Sequence, residues 1–225
     1  MLNRRIYRMD QQGMIDTIAA IVKKRMDGEG SGHDWWHVYR VWKMTQHIGS
    51  KEGADMFVAE LAALLHDIAD HKFHGGDDTV GPAVARELLS TEGAPADVTD
   101  HVCEIVMTIS FKGAGVPTEM RTLEGKIVQD ADRLDAIGAI GIARAFAYGG
   151  HKNRPIHIPG ETPVFHQSKE AYFKSNGPSI NHFYEKLLLL KDRMNTRIGK
   201  EIAEGRHRFM EEYLDRFFQE WEGQK

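Results

Sequence analysis

Cysteine is almost missing from this chain. Cys103 is the only one among 225 residues, which excludes an internal disulfide and fits a reducing compartment. Excess positive charge is missing too. Lys and Arg total 29 against 33 Asp and Glu, a formal charge of -4, so there is no basic field for binding duplex nucleic acid. Long apolar runs are absent as well. Leu187–Leu190 is the densest, far short of the roughly 20 residues of a membrane span. The first ten residues are arginine-rich with no apolar core, so no targeting segment is expected and the chain reads as soluble and cytoplasmic. No stretch shows sustained period-2 alternation, which removes the main signal for strands.

What is present is helical. Hydrophobic residues make up 41% and charged residues 28%, enough for a core under a polar surface. A first helix is expected over Gln11–Lys24. A glycine-rich break then leads into His33-Asp34-Trp35-Trp36-His37, and Val38, Val41, Thr45 and Ile48 mark the buried stripe of a second helix. Phe57, Leu61, Leu64, Leu65 and Ile68 form the apolar face of a third. Beside them runs a strip of small residues, Ala59, Ala62 and Ala63, that would admit a close neighbour. Further helices are expected near 79–90 and 95–110. Arg121–Tyr148 reads as one long helix or two end to end. After a proline-containing loop from Gly149 to Pro163, helices are expected near 168–174, 180–192 and 196–222. That loop is the one candidate boundary, and it reads as an excursion within a single domain. The fold class is all-α: a helical core over about 14–150 with additional C-terminal helices over about 168–222.

Twelve histidines beside 33 acidic residues supply the donors of a mixed imidazole–carboxylate metal site, and spacing selects among them. His37 falls in the first turn of the second helix, His66-Asp67 at the end of the third, and Asp132 within the central helix. Two imidazoles and two carboxylates suit one divalent ion with room for water, Mn²⁺ first, with Mg²⁺, Fe²⁺, Ni²⁺ or Co²⁺ as alternatives. The lack of cysteine ligands argues against structural zinc.

The order His37 … His66-Asp67 … Asp132 resembles the HD superfamily of metal-dependent phosphohydrolases. The surrounding words are more specific: His33-Asp34-Trp35-Trp36-His37, Leu64-Leu65-His66-Asp67-Ile68-Ala69-Asp70, Ser110-Phe111-Lys112-Gly113, Gln129-Asp130-Ala131-Asp132-Arg133-Leu134-Asp135, and His182-Phe183-Tyr184-Glu185-Lys186-Leu187-Leu188. Together they resemble the bacterial YpgQ/YedJ-like branch, over about residues 14–221. The resemblance implies a single HD-domain helical bundle with one metal on His37, His66, Asp67 and Asp132. It also implies hydrolysis of nucleoside triphosphates to monophosphate and pyrophosphate by a metal-activated water. Binuclear relatives carry an adjacent histidine pair between the doublet and the last aspartate. This chain has only His71, His74 and His101 there, which favours one metal.

Within that resemblance Asp70, beside Asp67, is assigned to orienting or deprotonating the water. Lys72, Lys112 and Arg133 are candidates to meet the phosphate charge, with His71, His182 and Lys186 behind them. Asp132 competes with two neighbours. At about 100° per residue, Asp130 points nearly opposite to Asp132, and Lys126 and Arg133 would explain it as a surface ion-pair network. Asp135 shares a face with Asp132 and could stand behind it. Trp35 and Trp36 are expected as core packing rather than base stacking, and Arg206, Arg208 and Arg216 as a solvated face. The expected partner is a small nucleotide, without duplex nucleic acid or membrane, and homodimerisation is compatible with the sequence. Two other readings are a different phosphoesterase, including an alarmone hydrolase, and a silent nucleotide-sensing domain. The first is disfavoured by Asp70-His71 where alarmone hydrolases keep Glu-Asp. The second is disfavoured by the presence of all four ligands.

Overall fold

The structure is a computed structural model that describes residues 2–27, 34–69, 79–109, 119–164 and 177–225, with side chains from residue 10 onward. No strand occurs among the described residues. The helices are α1 (Leu2–Arg25), α2 (Trp35–Glu52), α3 (Met56–Leu65), α4 (Val80–Thr91), α5 (Ala96–Thr108), α6 (Leu123–Asp135), α7 (Gly138–His151), α8 (Asn181–Glu185) and α9 (Arg197–Trp221). Two 3₁₀ turns, Leu187–Leu189 and Lys191–Arg193, separate the last two. No described helix is long and apolar enough to cross a membrane. The helix expected near 168–174 lies outside the described residues.

The described residues up to Gln129 form one compact unit and those from Asp130 a second. The division falls inside α6, a single unbroken helix, and not at the 149–163 loop. In the first unit α3 is the central rod, packed on α1, α2 and α5, with α4 on α5. Every residue from Phe57 to Leu65 is buried. The small strip of Ala59, Ala62 and Ala63 and the leucine face are therefore both covered, as befits a helix apolar all round. Its one charge, Glu60, accepts hydrogen bonds from Trp42 Nε1 and Gln46 Nε2, both at 2.7 Å, which offsets the cost of burying a carboxylate.

Local signals start and stop the helices that matter. Asp34 caps α2, its Oδ1 accepting from the His37 backbone N at 3.0 Å, and Gly53 ends it in the left-handed region at φ 78°. Asp55 caps α3 by accepting from Phe57 N and Val58 N. That helix stops at Leu65, short of the expected Ile68, so His66 takes the cap position. The stretch Arg121–Tyr148, which spans the division, resolves into two helices. The break follows Ala136 and Ile137, where Gly138 at φ 75° takes a conformation that a β-carbon would disfavour.

The rest of the second unit rests α7 on α9, with Phe146, Phe183 and Tyr213 forming its aromatic core. The Phe183 and Tyr213 rings stack at 6.1 Å. The expectation of a solvated arginine face on α9 holds for Arg208 and Arg216 but fails for Arg206. The Arg206 guanidinium donates to the Leu134 carbonyl, one of the free carbonyls at the end of α6. Its aliphatic stem crosses Gly138 so closely that a β-carbon there would sit 2.9 Å from Cγ.

Candidate metal centre

The site starts from two caps. Because Asp34 fixes the start of α2, His37 sits one turn in and points inward, almost fully buried. Because α3 ends at Leu65, His66 is free to turn its ring onto the last turn, where Nδ1 lies 2.8 Å from the Ala63 carbonyl oxygen. A carbonyl can only accept, so Nδ1 carries the proton and Nε2 presents its lone pair. That Nε2 lies 3.2 Å from His37 Nε2. Asp67 brings Oδ2 to 3.3 Å from His37 Nε2 and 3.6 Å from His66 Nε2.

Three electron-rich atoms thus converge in one buried spot, an arrangement that repels itself unless a cation or a proton lies between them. The spacing fits a metal. With bonds of about 2.1–2.2 Å, adjacent ligands stand about 3.0 Å apart in an octahedron and about 3.5 Å apart in a tetrahedron. The helix α6 brings the fourth candidate. One ligand atom each from His37, His66 and Asp132 lies within 4.8 Å of the other two, near the roughly 4.3 Å that separates opposite vertices of such an octahedron. Donor chemistry and spacing both suit a divalent ion.

The neighbours of Asp132 separate cleanly. Asp130 is not the surface residue of the expected ion-pair network. It is fully buried, and its carboxylate accepts from Asn195 and Thr196. Asp135 is also buried and pairs with Arg144 at 2.6 Å. Arg133 is buried and donates to the Arg193 carbonyl. Desolvation lowers its pKa, opposed by the charges of Asp130 and Asp132.

Among the other sequence candidates, Asp70, His71, Lys72 and Lys112 lie outside the described residues, as does His33. His182 and Lys186 are described on and just after α8. Burial first, then the positive charges of Lys186 and Arg154, push His182 down to about 3, so it is neutral at physiological pH. The sign of its contribution to stability follows. A base with a depressed folded pKa supports the fold fully above its unfolded value near 6.5, and that support is lost as pH falls toward 3. Between pH 7.5 and 5, His182→Asn should show a smaller drop in urea midpoint than the parent protein. An equal drop would refute the assignment.

The tryptophan pair divides. Trp35 is buried as expected, whereas Trp36 is 58% exposed and edges against Tyr39 at 5.9 Å. Of the remaining histidines, His101 bonds Thr122 and His47 bonds Lys51. His157 is ringed by Phe217, Phe218 and Trp221. Sequence reasoning missed the Asn195-Thr196 pair. Its only local signal is a helix N-cap ahead of Arg197, and its partner Asp130 is 65 and 66 residues away.

Comparison with known proteins agrees with this geometry. The model of the HD domain family matches residues 35–137, a span that begins at α2 and ends just after α6. The chain is 40% identical over 209 residues to the protein YpgQ of Bacillus subtilis, covering 92% of this chain and 93% of that one. Among solved structures, an HD-superfamily hydrolase from Bacillus thuringiensis superposes with a TM-score of 0.75 at 41% identity, covering 94% of this chain and 98% of that one. Bacillus subtilis YpgQ in complex with ADP superposes at 0.72 and 37% identity, covering 94% and 96%. The ligand order on α2, α3 and α6, the all-α fold and these likenesses agree, and the chain belongs to the HD superfamily of metal-dependent phosphohydrolases, in its YpgQ-like branch.

Proposed function

We propose that this chain hydrolyses nucleoside and deoxynucleoside triphosphates to the monophosphate and pyrophosphate, using one divalent ion. The observation that carries the substrate class is the ADP held by the similar Bacillus subtilis protein. An adenine nucleotide bound by a similar protein supports a nucleotide phosphoanhydride as the target. The ion, Mn²⁺ by preference, would be held by His37, His66, Asp67 and Asp132 and would supply Lewis acidity toward a phosphoryl oxygen and an acidified water.

The chain's own groups do the rest. Asp70 orients the attacking water and accepts its proton. The water oxygen joins one phosphorus, the bridging P–O bond between the α and β phosphates breaks, and pyrophosphate leaves. Lys72, Lys112 and Arg133 offset the charge that gathers on the phosphoryl oxygens. Arg133 gives a donor to the Arg193 carbonyl, which anchors its guanidinium, and it carries five N–H groups in a fixed fork. Lys186 adds charge behind them and His71 a donor. His182, neutral above pH 3, contributes a hydrogen bond rather than a charge. The lone buried thiol of Cys103 suits a reducing cytoplasm.

Incubating the purified chain with Mn²⁺ and a panel of ribo- and deoxyribonucleotides should yield monophosphate and pyrophosphate in equal amounts. Orthophosphate as the only phosphorus-containing leaving product would overturn the reading.

A further inference from the structure

The Asp130 carboxylate is wholly buried and is held by a dense set of hydrogen bonds. Its Oδ1 accepts from Asn195 N and Asn195 Nδ2, both at 2.8 Å. Its Oδ2 accepts from Thr196 N and Thr196 Oγ1, both at 2.8 Å. All four strong donors come from two consecutive residues. Thr196 is also the N-cap of α9, where its hydroxyl oxygen accepts from Gly199 N at 3.0 Å. The carboxylate therefore sits against the positive end of a 25-residue helix.

Space is fitted to it as closely as charge. A β-carbon on Gly199 would lie 2.4 Å from Asp130 Oδ2 and 2.7 Å from Thr196 Oγ1, so only glycine fits there. Four hydrogen bonds to a buried anion, each stronger than a neutral one, fix the rotation of α6 about its axis. Asp132 is two residues further along the same helix, about 200° around it. A clamp on one side of α6 thus sets the direction in which the opposite side presents Asp132. Further ties to the same stretch, from Arg133 to the Arg193 carbonyl, from Arg206 to the Leu134 carbonyl and from Arg144 to Asp135, act beside the clamp.

We infer that Asn195, Thr196 and Asp130 form a positioning device for the metal ligand Asp132, so that the start of α9 controls metal affinity without touching the ion. This rests on the proposed metal site. The consequence is specific. Loosening the clamp lets Asp132 swing, and a ligand displaced by about 1 Å no longer closes the coordination shell.

The test uses the full chain and free Mn²⁺, titrated by electron paramagnetic resonance of the unbound ion. Asn195→Ala and Thr196→Val each remove one side-chain donor and leave the backbone donors in place, and Thr196→Ser restores the hydroxyl. The expected result is Mn²⁺ affinity weakened about 10–100-fold, the range for groups that orient ligands, in Asn195→Ala and Thr196→Val. Recovery to within about threefold is expected in Thr196→Ser, with the metal-free proteins all cooperatively folded. A purely architectural clamp would lower the metal-free melting temperature of the two weakened variants and leave their Mn²⁺ affinity at the parent value. That outcome overturns the inference while the metal site stands. Absence of Mn²⁺ binding by the parent chain overturns both.

Discussion

Replacing His66 and Asp67 together with alanine should lower turnover at least about 10³-fold, as expected when several kcal/mol of metal-derived transition-state stabilisation is withdrawn. The same variant should lose measurable Mn²⁺ binding, because half of the proposed donors go with it. Its effect on the metal-free fold should be small, which sets it apart from ordinary damage to a core. His66 Nε2, His37 Nε2 and Asp67 Oδ2 stand 3.2–3.6 Å apart, a cluster that repels itself unless a cation or a proton lies within it. Removing two of the three relieves repulsion as it removes contacts. Metal-free melting temperatures should therefore stay within a few degrees of each other. Saturating Mn²⁺ should raise only the parent's, by linkage of binding to folding. Single substitutions should cost nearly as much activity as the pair, since ligands act as a unit. Parent-level activity in the double variant would remove the metal site from consideration.

That outcome depends on features of very different visibility in the sequence. The rod of α3 was legible because Phe57, Leu61, Leu64 and Leu65 repeat at helical spacing, and the strip of Ala59, Ala62 and Ala63 correctly implied close neighbours. The Asp34 cap was legible because an aspartate before a helical run has one common use, and it accepts from His37 N as that use requires. Less visible was where α3 ends. Apolar periodicity carries on to Ile68, but the ring of His66 takes the Ala63 carbonyl and ends the helix at the residue where the chemistry begins. The break between α6 and α7 was left open by the sequence for a related reason. Ala and Gly repeat smoothly through it, and only the positive φ of Gly138 marks the turn.

Least visible were partners brought from far along the chain. Local charge spacing made Asp130 a surface residue paired with Lys126 and Arg133. The structure buries it and supplies Asn195 and Thr196 instead. Arg206 looked like one more cation on an exposed helix, and it closes a carbonyl of α6. Both errors have one physical origin. Spacing within a helix reports what a residue's neighbours offer, whereas burial is decided by whatever packs over it. The contacts described above for Asp130, Arg133, Leu134 and Asp135 come from Arg144, Arg193, Asn195, Thr196 and Arg206, outside the 35–137 span of the HD domain match.

The same dependence of site on core sets the largest expected stability effect. Leu65 is fully buried and immediately precedes His66. Leu65→Ala should cost about 2–5 kcal/mol through lost transfer free energy and the cavity left behind, a large share of the roughly 5–15 kcal/mol that holds a domain folded. In urea this appears as a midpoint lower by about 1 M or more, at the slopes usual for small domains. Fluorescence is the right probe, because Trp35, Trp36 and Trp42 all lie in the first unit with α3. Leu123→Ala, at a position 37% exposed, is the matched control and should change stability by less than about 1 kcal/mol. The cavity lies under the turn on which the His66 ring docks through Ala63, so the variant should also bind Mn²⁺ more weakly than the parent. Saturating Mn²⁺ should in turn recover part of the lost midpoint, because binding favours the docked arrangement. A midpoint within error of the parent would mean that the last turn of α3 is not the packed support on which the metal ligands stand.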